Sequence, residues 1–545
     1  MKKTFLISLM FILSLGAICV NPTHSRSIIN EQSENDSIVN NDSLVDSDSI
    51  IGNDSIVEND SIAQKDSIEN IISKIDLPVI HIITEDSIEP SCKNIMHPEG
   101  CLGQSITDNN YVKGEMTIHK DSILVYSSGK YVKKESGMRI KVRGNTSADF
   151  PYKSFKIKTE IKTDLLNRDD DKYKNKSWVL LNIYSTRDLR TVTGFYLGEL
   201  VRDEWEPKYQ FVNLFINGEY RGLYMLAESI GYSEGRCNLS DPTGLLIEAD
   251  AYWWKEDEDE PVIKTDHLPY AIGYTFKNPE LSVDDPTLDR IKDYLNAFED
   301  SLYNNKDIND YIDLESFASW VLVHDLLGTW DGAGSNIYLK KDNFFEGEDL
   351  FKSKLEMGPL WDFDSAFKTN SQWAASHISE YFYFKELFKR PDFIIEYQDQ
   401  WRDIRDDIAN NLYNFIENFI DKNGKAIDES RRVSPPGPSL WQSTTEDDFN
   451  EIKNWYSERI PWLDEEISNL LQTVYIQEVN NNSRITSVTV FDMSGRICKV
   501  YRGNEAARIF NSPRYEESLS NLLNGIYIMK ATYADGSTKS RRQII

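Results

Sequence analysis

Apolar residues alternate with polar ones in the first folded part of the chain, which is the period of a β-strand. The alternation is clear at 138–142 and 153–158, and the β-branched run 77–83 also predicts a strand. Asn217-Gly218 separates two apolar runs and predicts a two-residue hairpin turn. Residues 188–201 space their apolar side chains for a helix, so we expect a β-rich lobe built around one helix.

Helical spacing dominates the second half of the chain. Asp285-Pro286 has the cap and first-turn proline of a helix start, and apolar residues then recur at helical spacing to Leu327. The spacing returns from Phe384 to Leu471. Between these stretches, 337–341 and 355–361 predict the two strands of a hairpin. We therefore expect a mainly helical second lobe that carries one hairpin.

The end of the chain changes character again. Residues 475–545 contain short β-rich runs separated by turns such as Ser494-Gly495 and Asp535-Gly536. This pattern predicts a small all-β sandwich as a separate domain. The class predicted for the whole chain is therefore α+β, with the main domain at 77–472.

Two segments precede the folded part. Residues 1–25 have the charged start and short apolar run of a secretory signal peptide, so no transmembrane span is expected in the mature chain. Residues 26–76 contain an Asp-Ser-Ile repeat with a period of six. Its copies begin at Asp36, Asp42, Asp48, Asp54, Asp60 and Asp66. Each copy has too few apolar side chains to offset the entropy of ordering, which predicts a disordered acidic spacer.

Length, charge and cysteine content narrow the possibilities. At 545 residues the chain exceeds one typical core of about 250–300 residues, so several domains are expected. The net charge of −29 argues against a nucleic-acid binder, which needs clustered positive charge. Cys92 and Cys101 lie close together in sequence, and export favours a disulfide between them.

The candidate chemistry lies around the predicted hairpin. Asp331 and Asn336 have the D-x-x-x-x-N spacing of a kinase catalytic loop, in which the Asp accepts the acceptor hydroxyl's proton and the Asn binds a metal. The hairpin returns Asp362 to this loop, where it is expected to hold Mg²⁺. Asp364 lies on the same side of an extended strand and is an equal candidate ligand.

A phosphate-binding group is expected in the first lobe. Alternation places Lys156 on one face of its strand and Lys153 on the other, and the pattern does not choose between them. Glu199 lies in the following helix, where it could reach a lysine. The strand at 138–142 leads into a polar turn whose amides and hydroxyls could meet phosphate oxygens. The turn comprises Arg143, Gly144, Asn145, Thr146 and Ser147.

Other classes of function fit part of this pattern. Asp362-Phe363-Asp364 resembles the metal-binding D-x-D of nucleotide-sugar glycosyltransferases. Paired carboxylates with many tryptophans would suit a glycoside hydrolase. The third alternative is a non-catalytic surface module, a pseudokinase that binds protein or glycan. Neither the glycosyltransferase nor the glycoside hydrolase interpretation requires the lysine strand or the order of the hairpin elements.

The main domain resembles the CotH family of spore-coat-type, atypical protein kinases. The resemblance covers about residues 77–470 and rests on an ordered series of blocks. These are 77–80, 143–147, 153–155, 178–180, 214–224, Asp331 with Asn336, and 361–364. It implies a divergent two-lobed protein-kinase-like domain that uses ATP and Mg²⁺ to phosphorylate Ser or Thr of exported or surface proteins. Lys153 matches the family's lysine best.

The tail resembles the C-terminal sorting domain of type IX secretion substrates. The resemblance rests on 490–496, on Asn524-Gly525-Ile526-Tyr527 and on the basic end of the chain. It implies the type IX machinery as a partner and passage across the outer membrane of a Gram-negative cell. The protein would then be secreted or held at the cell surface.

Overall fold

The computed structural model describes most of the chain from residue 68 onward, with gaps. The described ranges are 68–94, 106–107, 111–149, 151–182, 188–202, 204–239, 244–256, 259–269, 271–329, 332, 336–344, 351–367, 378–435, 443–479, 485–511, 522, 525–534 and 536–544. The chain divides into two compact units, Met1–Glu69 and Asn70–Ile545, and the account below is of the second. Asp331, Cys101 and nearly all of the Asp-Ser-Ile repeat lie outside the described residues.

The second unit contains strands and helices in comparable amounts. In chain order they are β1 (Val79–Thr84), β2 (Lys93–Asn94), β3 (Ile106–Thr107), β4 (Val112–Lys120), β5 (Ile123–Ser127), β6 (Met138–Arg143), β7 (Ser154–Thr163), β8 (Asn175–Asn182), α1 (Asp188–Arg202), β9 (Tyr209–Ile216), β10 (Glu219–Glu228), β11 (Leu245–Asp250), β12 (Val262–Ile263), β13 (Gly273–Asn278), α2 (Thr287–Tyr303), α3 (Leu314–Leu327), β14 (Ile337–Lys341), β15 (Glu356–Met357), α4 (Phe384–Leu387), α5 (Pro391–Val433), α6 (Thr445–Val479), β16 (Ile485–Asp492), β17 (Ile497–Arg502), α7 (Asn504–Asn511), β18 (Ile526–Tyr533) and β19 (Thr538–Ile544). The predicted α+β class is confirmed.

The first sheet closes on itself. Its order is β1-β9-β10-β8-β7-β6-β4-β5, and β4 pairs back onto β1, so seven strands form a closed barrel. The interior is apolar and includes Ile140, Val142 and Ile157, each fully buried. The β9–β10 hairpin turns at Asn217-Gly218 as predicted, with φ of 52° and 73°.

The second half is mainly helical, as predicted, but it also contains a second sheet that the sequence did not predict. Five short strands run in the order β12-β13-β11-β14-β15, and they hold far fewer residues than helices α2 to α6. The sheet was missed because β12 and β13 are short, and because β11 pairs with β13 and β14, which are distant from it in sequence.

The hairpin β14–β15 is also shorter than predicted. Strand β14 has the predicted bounds, whereas β15 covers only Glu356–Met357 of the expected 355–361. Gly358 and Pro359 follow directly, and Pro359 has no N–H to donate to a ladder. Gly358 still donates a backbone hydrogen bond to the Tyr338 carbonyl of β14 (2.6 Å), and the chain beyond it leaves the sheet before it reaches the site.

The predicted helices are present. Asp285 accepts a hydrogen bond from the Thr287 N–H (2.9 Å) at the start of α2, and Asp313 caps α3 through the Ser316 N–H (2.9 Å). Helix α3 packs against α1 and α5 and is buried almost all round. It ends at Gly328, whose φ of 63° suits a left-handed cap. No helix among the described residues has the length and apolar content needed to cross a membrane.

The tail is not the all-β sandwich that the sequence predicted. Within the described part of 485–544, one four-stranded sheet in the order β17-β16-β18-β19 packs against helix α7. The apolar residues of α7 recur at helical spacing, and Ala506, Ala507, Ile509 and Phe510 are buried. This amphipathic helix covers a sheet face that a second sheet was expected to cover.

Candidate active site

The two acidic motifs of the hairpin meet, as the sequence predicted. The Asn336 amide Nδ2 donates a hydrogen bond to Oδ2 of Asp362, over 3.3 Å. Both residues have left-handed backbones, with φ of 70° and 67°. Such conformations are uncommon for residues other than glycine and concentrate at functional sites. Asp331, the predicted catalytic carboxylate, falls outside the described residues, as do Trp330 and 333–335.

The segment that carries Asp362 is anchored by its aromatic neighbours. Trp361 and Phe363 are buried against Phe195 of α1, with ring centroids 6.0 and 5.4 Å apart. Gly194 makes this approach possible, because a Cβ there would lie 2.4 Å from the Phe363 ring. Asp362 and Asp364 alternate with these buried rings and are partly exposed. The backbone, and with it the Asp362 carboxylate, is therefore held by packing.

Arg190 and His324 hold the same segment from either side. The Arg190 guanidinium donates to the Asp364 carbonyl oxygen over 2.7 Å. The fully buried His324 ring lies 6.4 Å from the Phe363 ring and leaves no room for a side chain at Gly332. Burial lowers the pKa of His324 to about 3, so this ring is neutral and acts in packing.

A row of cations lies on the outside of the closed sheet. Register pairs Lys141 with Lys156 and Arg139 with Lys158, so the basic side chains of β6 and β7 share one face. We call this the cationic face; it consists of Arg139, Lys141, Arg143, Lys156 and Lys158. The Arg143 guanidinium lies 5.5 Å from the centroid of the Trp361 ring. One end of the cationic face therefore adjoins the segment that carries Asp362.

Lys156 and Lys153 have different surroundings. Burial, followed by the nearby charges of Lys277, Lys158 and other cations, lowers the pKa of Lys156 to about 7. The charged form of such a buried lysine is strongly stabilised when an anion binds beside it. Lys153 lies before β7, and its Nζ donates to the Ala148 carbonyl (2.7 Å) beside the Cys92 thiol.

The polar turn after β6 borders the cationic face. Gly144 has a φ of 107°, and a Cβ there would lie 2.2 Å from Ser147 Oγ, so the turn requires glycine. Asn145 Oδ1 accepts a hydrogen bond from Lys255 Nζ over 2.7 Å. Thr146 begins a short 3₁₀ turn, Thr146–Asp149, and its side chain is not among those described.

A comparison with protein-family models settles the family. The model of the CotH kinase proteins matches residues 140–463, more than half of the chain. This chain belongs to the CotH kinase family. The match begins in β6 and ends in α6, so it spans both the cationic face and the Asn336–Asp362 contact. A search of curated proteins found no match.

In this CotH-family chain, further charged groups lie near Lys156, and the sequence analysis did not identify them. Glu248 and Asp250 lie at the end of β11, and Lys277 on β13 pairs with Glu248 at 2.8 Å. Burial and then Glu248 raise the pKa of Asp250 to about 7. The sequence did contain a sign of this cluster. The otherwise apolar run 245–250 ends with two carboxylates that are two residues apart and therefore lie on the same face of a strand.

One expectation for this part of the CotH chain is confirmed and another is wrong. Glu199 does reach a lysine, but this is Lys208, just before β9, and neither Lys153 nor Lys156. The Cys92 thiol is free and donates to the Ala148 carbonyl (3.1 Å), so it forms no disulfide. Proximity in sequence did not predict where this thiol would point.

The predicted metal ligands are an amide and two carboxylates. Within the ranges that the structure describes, no group of three or more His, Cys, Asp or Glu side chains is arranged to hold a metal. Asn336 and Asp362 touch, whereas the described contact of Asp364 is through its backbone carbonyl. The donor set is therefore too small for an all-protein metal cage and suits an ion shared with phosphate oxygens.

Proposed function

We propose that this CotH-family chain is a kinase that transfers the γ-phosphate of ATP, with Mg²⁺, to serine or threonine hydroxyls of proteins. The contact between Asn336 and Asp362 carries the proposal, because it joins the two motifs on which phosphotransfer depends. The family match supports the same class of reaction. In this proposal, the closed sheet and the region of α2 to α6 correspond to the two lobes of a divergent kinase fold.

The cationic face supplies the nucleotide side of the site. Lys156 has lost water to burial, so phosphate oxygens can stabilise its charge; Arg143 lies beside Trp361 on the same face, and the turn 144–147 borders both cations. Phosphoryl transfer requires mainly positioning and stabilisation of phosphate charge. Lys156 is favoured over Lys153 for this role because Lys153 is committed to the Ala148 carbonyl.

The residues present fit a magnesium ion. Mg²⁺ is usually bound by one or two carboxylates together with substrate phosphates, and Asp362, with Asp364 and Asn336, offers such a set. When bound, the ion neutralises phosphate charge in the transition state. Asp331, five residues before Asn336, is assigned to accept the proton of the acceptor hydroxyl.

The sequence patterns at the two ends of the chain support a proposal for where the reaction occurs. The signal-peptide pattern of 1–25 and the sorting-domain resemblance of the tail support export by the type IX machinery. We therefore assign the kinase to the secreted or outer-membrane-surface fraction of a Gram-negative cell. Its acceptors are then exported or surface proteins.

Incubation of the purified chain with labelled ATP, Mg²⁺ and a generic protein acceptor tests the proposal. We expect transfer by the wild type and its loss in Asp331→Ala. The exposed Asp310 provides a matched control, and Asp310→Ala should transfer as the wild type does. The proposal fails if the wild type binds no ATP and transfers no more label than Asp331→Ala.

A further inference from the structure

The two arms of the β14–β15 hairpin carry the two described halves of the candidate site, but their strand pairing does not extend to it. Asn336 directly precedes β14, and Asp362 follows the end of β15 by five residues. The strand pair nearest to the site is Leu339 with Met357, and the chain leaves the sheet after Gly358. Contacts outside the sheet must therefore set the position of Asp362 relative to Asn336.

A buried ion pair at the end of α1 lies against the segment that leaves the sheet. The Arg202 guanidinium donates to Glu206 Oε1 over 3.0 Å, and the two side chains are 1% and 0% exposed. Arg202 Nη2 also donates to the Met357 carbonyl over 2.9 Å. Glu206 Oε2 accepts a hydrogen bond from the Leu360 N–H, also over 2.9 Å. The ion pair therefore connects the two ends of 357–360.

The path of this segment is closely defined. Gly358 donates to the Tyr338 carbonyl over 2.6 Å, Pro359 has no N–H, and the Leu360 N–H is bonded to the carboxylate. Each backbone donor of 358–360 thus has a partner. Gly198 allows the carboxylate to approach α1, because a Cβ there would lie 2.8 Å from the Glu206 side chain.

The other arm of the hairpin is connected to the same stretch of chain. Lys340 of β14 pairs with Glu204 over 2.7 Å and with Glu356 of β15 over 3.0 Å. Because Glu204 belongs to the stretch 202–206, this short stretch contacts both arms of the hairpin.

Stability alone does not account for an ion pair that is buried in this way. Burial raises the pKa of Glu206 to about 8, although Arg202 and the Leu360 N–H act in the opposite direction. A buried ion pair can often be replaced by apolar residues of similar volume without loss of stability. Apolar side chains cannot supply the directed hydrogen bonds to the Met357 carbonyl and the Leu360 N–H.

We propose that Arg202 and Glu206 are positioning residues for the Mg²⁺ site, which fix the path of 357–360 and thereby hold the Asp362 carboxylate beside Asn336. The inference rests on the proposed kinase function, in which Asp362 binds the metal. Residues that orient a metal ligand without touching the metal typically change metal affinity or activity by about 10–100-fold. Loss of the ion pair should therefore be seen first in the response to Mg²⁺.

The double variant Arg202→Met/Glu206→Met is the main test, because it removes both charges at similar side-chain volume. We expect its melting temperature to stay within about 5 °C of that of the wild type. The Mg²⁺ concentration for half-maximal transfer should rise about tenfold, with the KM for the protein acceptor unchanged. A mere loss of folded protein would lower the maximal rate without shifting the half-maximal Mg²⁺ concentration.

Metal binding can also be measured without turnover. Mn²⁺ is a suitable probe because it favours the same oxygen ligands as Mg²⁺. We would titrate Mn²⁺ into the full chain with a non-hydrolysable ATP analogue and follow the free ion by electron paramagnetic resonance. The double variant should bind Mn²⁺ about tenfold more weakly than the wild type does.

Two further variants complete the test. Arg431→Met/Asp448→Asn removes another buried ion pair, which joins α5 to α6 over 2.6 Å, and should leave the response to both metals unchanged. Arg202→Lys keeps the buried charge beside Glu206 but lacks the fork of the guanidinium. It should also raise the half-maximal Mg²⁺ concentration, and it decides the matter if the double variant does not fold.

The outcomes separate this inference from the proposed function. If the wild type transfers phosphate, and the Arg202 variants keep its half-maximal Mg²⁺ concentration and its Mn²⁺ affinity, the positioning role is wrong and the kinase stands. An equal shift in the Arg431→Met/Asp448→Asn control would also overturn the positioning role. If the wild type binds no ATP and transfers no phosphate, both are overturned.

Discussion

The inner face of the β6–β7 pair is apolar and buried, whereas the outer face of the same two strands carries five cations. Ile140, Val142 and Ile157 point into the closed sheet and stabilise it by burial. Lys141, Lys156 and their neighbours point outward, where their mutual repulsion makes an anion favourable. In the β6–β7 pair, the inward-facing residues therefore stabilise the fold, and the alternate, outward-facing residues form a candidate ligand site.

Because the two faces of β6–β7 serve different purposes, we expect that substitutions can disrupt the site without the fold, and the fold without the site. The largest expected effect is on transfer. Asp362→Asn removes the carboxylate but suits the left-handed backbone at this position, so stability should change by less than about 1 kcal/mol. Transfer should fall about a thousandfold, or about 4 kcal/mol. Initial rates and thermal melts measure the two quantities, and equal losses in both would contradict the separation.

The inner face should show the opposite behaviour. Ile157→Ala leaves a cavity in the closed sheet and should lower the free energy of unfolding by about 3 kcal/mol. Under native conditions the folded fraction should bind nucleotide as the wild type does. Chemical denaturation checks the stability, with Lys141→Ala on the outer face as a control expected to stay within about 0.5 kcal/mol.

A smaller effect is expected from pH. The pKa of Lys156 is about 7 without ligand, and a bound phosphate raises it, so nucleotide affinity should be highest below pH 7. Above pH 7 it should fall by up to about tenfold per unit until the pKa of the complex is reached. Lys156→Arg keeps its charge and should flatten the profile. Calorimetric titrations between pH 7 and 8.5 test this, and a flat wild-type profile would exclude Lys156.

The same shift affects the stability of the ligand-free protein in the opposite direction. The pKa of Lys156 lies below its unfolded value of 10.5, so between pH 7 and 10.5 the unfolded chain binds more protons than the folded one. The contribution of Lys156 to stability therefore rises with pH in this range.

The smallest effect is expected on the surface of α1. Glu199 and Lys208 are both largely exposed, so their ion pair should contribute less than about 1 kcal/mol. Glu199→Ala should leave nucleotide affinity unchanged, because this carboxylate does not contact the cationic face. A clear loss of affinity in the same calorimetric titration would instead connect α1 to the phosphate site.

Local patterns predicted much of the architecture. The Asn217-Gly218 turn, the cap at Asp285 and the bounds of β14 each depend on a few adjacent residues, and the structure has them as expected. Strands β12 and β13 and helix α7 were missed, because their identity depends on which distant element covers them. Local propensity carries little of that information.

The candidate site, too, was predicted from the sequence only where local spacing was informative. The spacing around the hairpin indicated that Asp362 would return to Asn336, and the two side chains touch. The roles of Lys153 and Lys156 could not be separated, because alternation assigns faces without saying what each face meets. The partner of Glu199 and the carboxylates of β11 also required the tertiary structure, since each contact crosses between elements.

Calorimetric titration of ATP with Mg²⁺ into wild type, Lys156→Met and Lys153→Met tests the central claim most directly. If the outer face of β6–β7 binds the nucleotide phosphates, Lys156→Met should bind about a hundredfold more weakly, or about 2.7 kcal/mol, with its melting temperature unchanged or raised. Lys153→Met should lose far less affinity. A wild type that binds no ATP, or a larger loss in Lys153→Met than in Lys156→Met, would contradict the account.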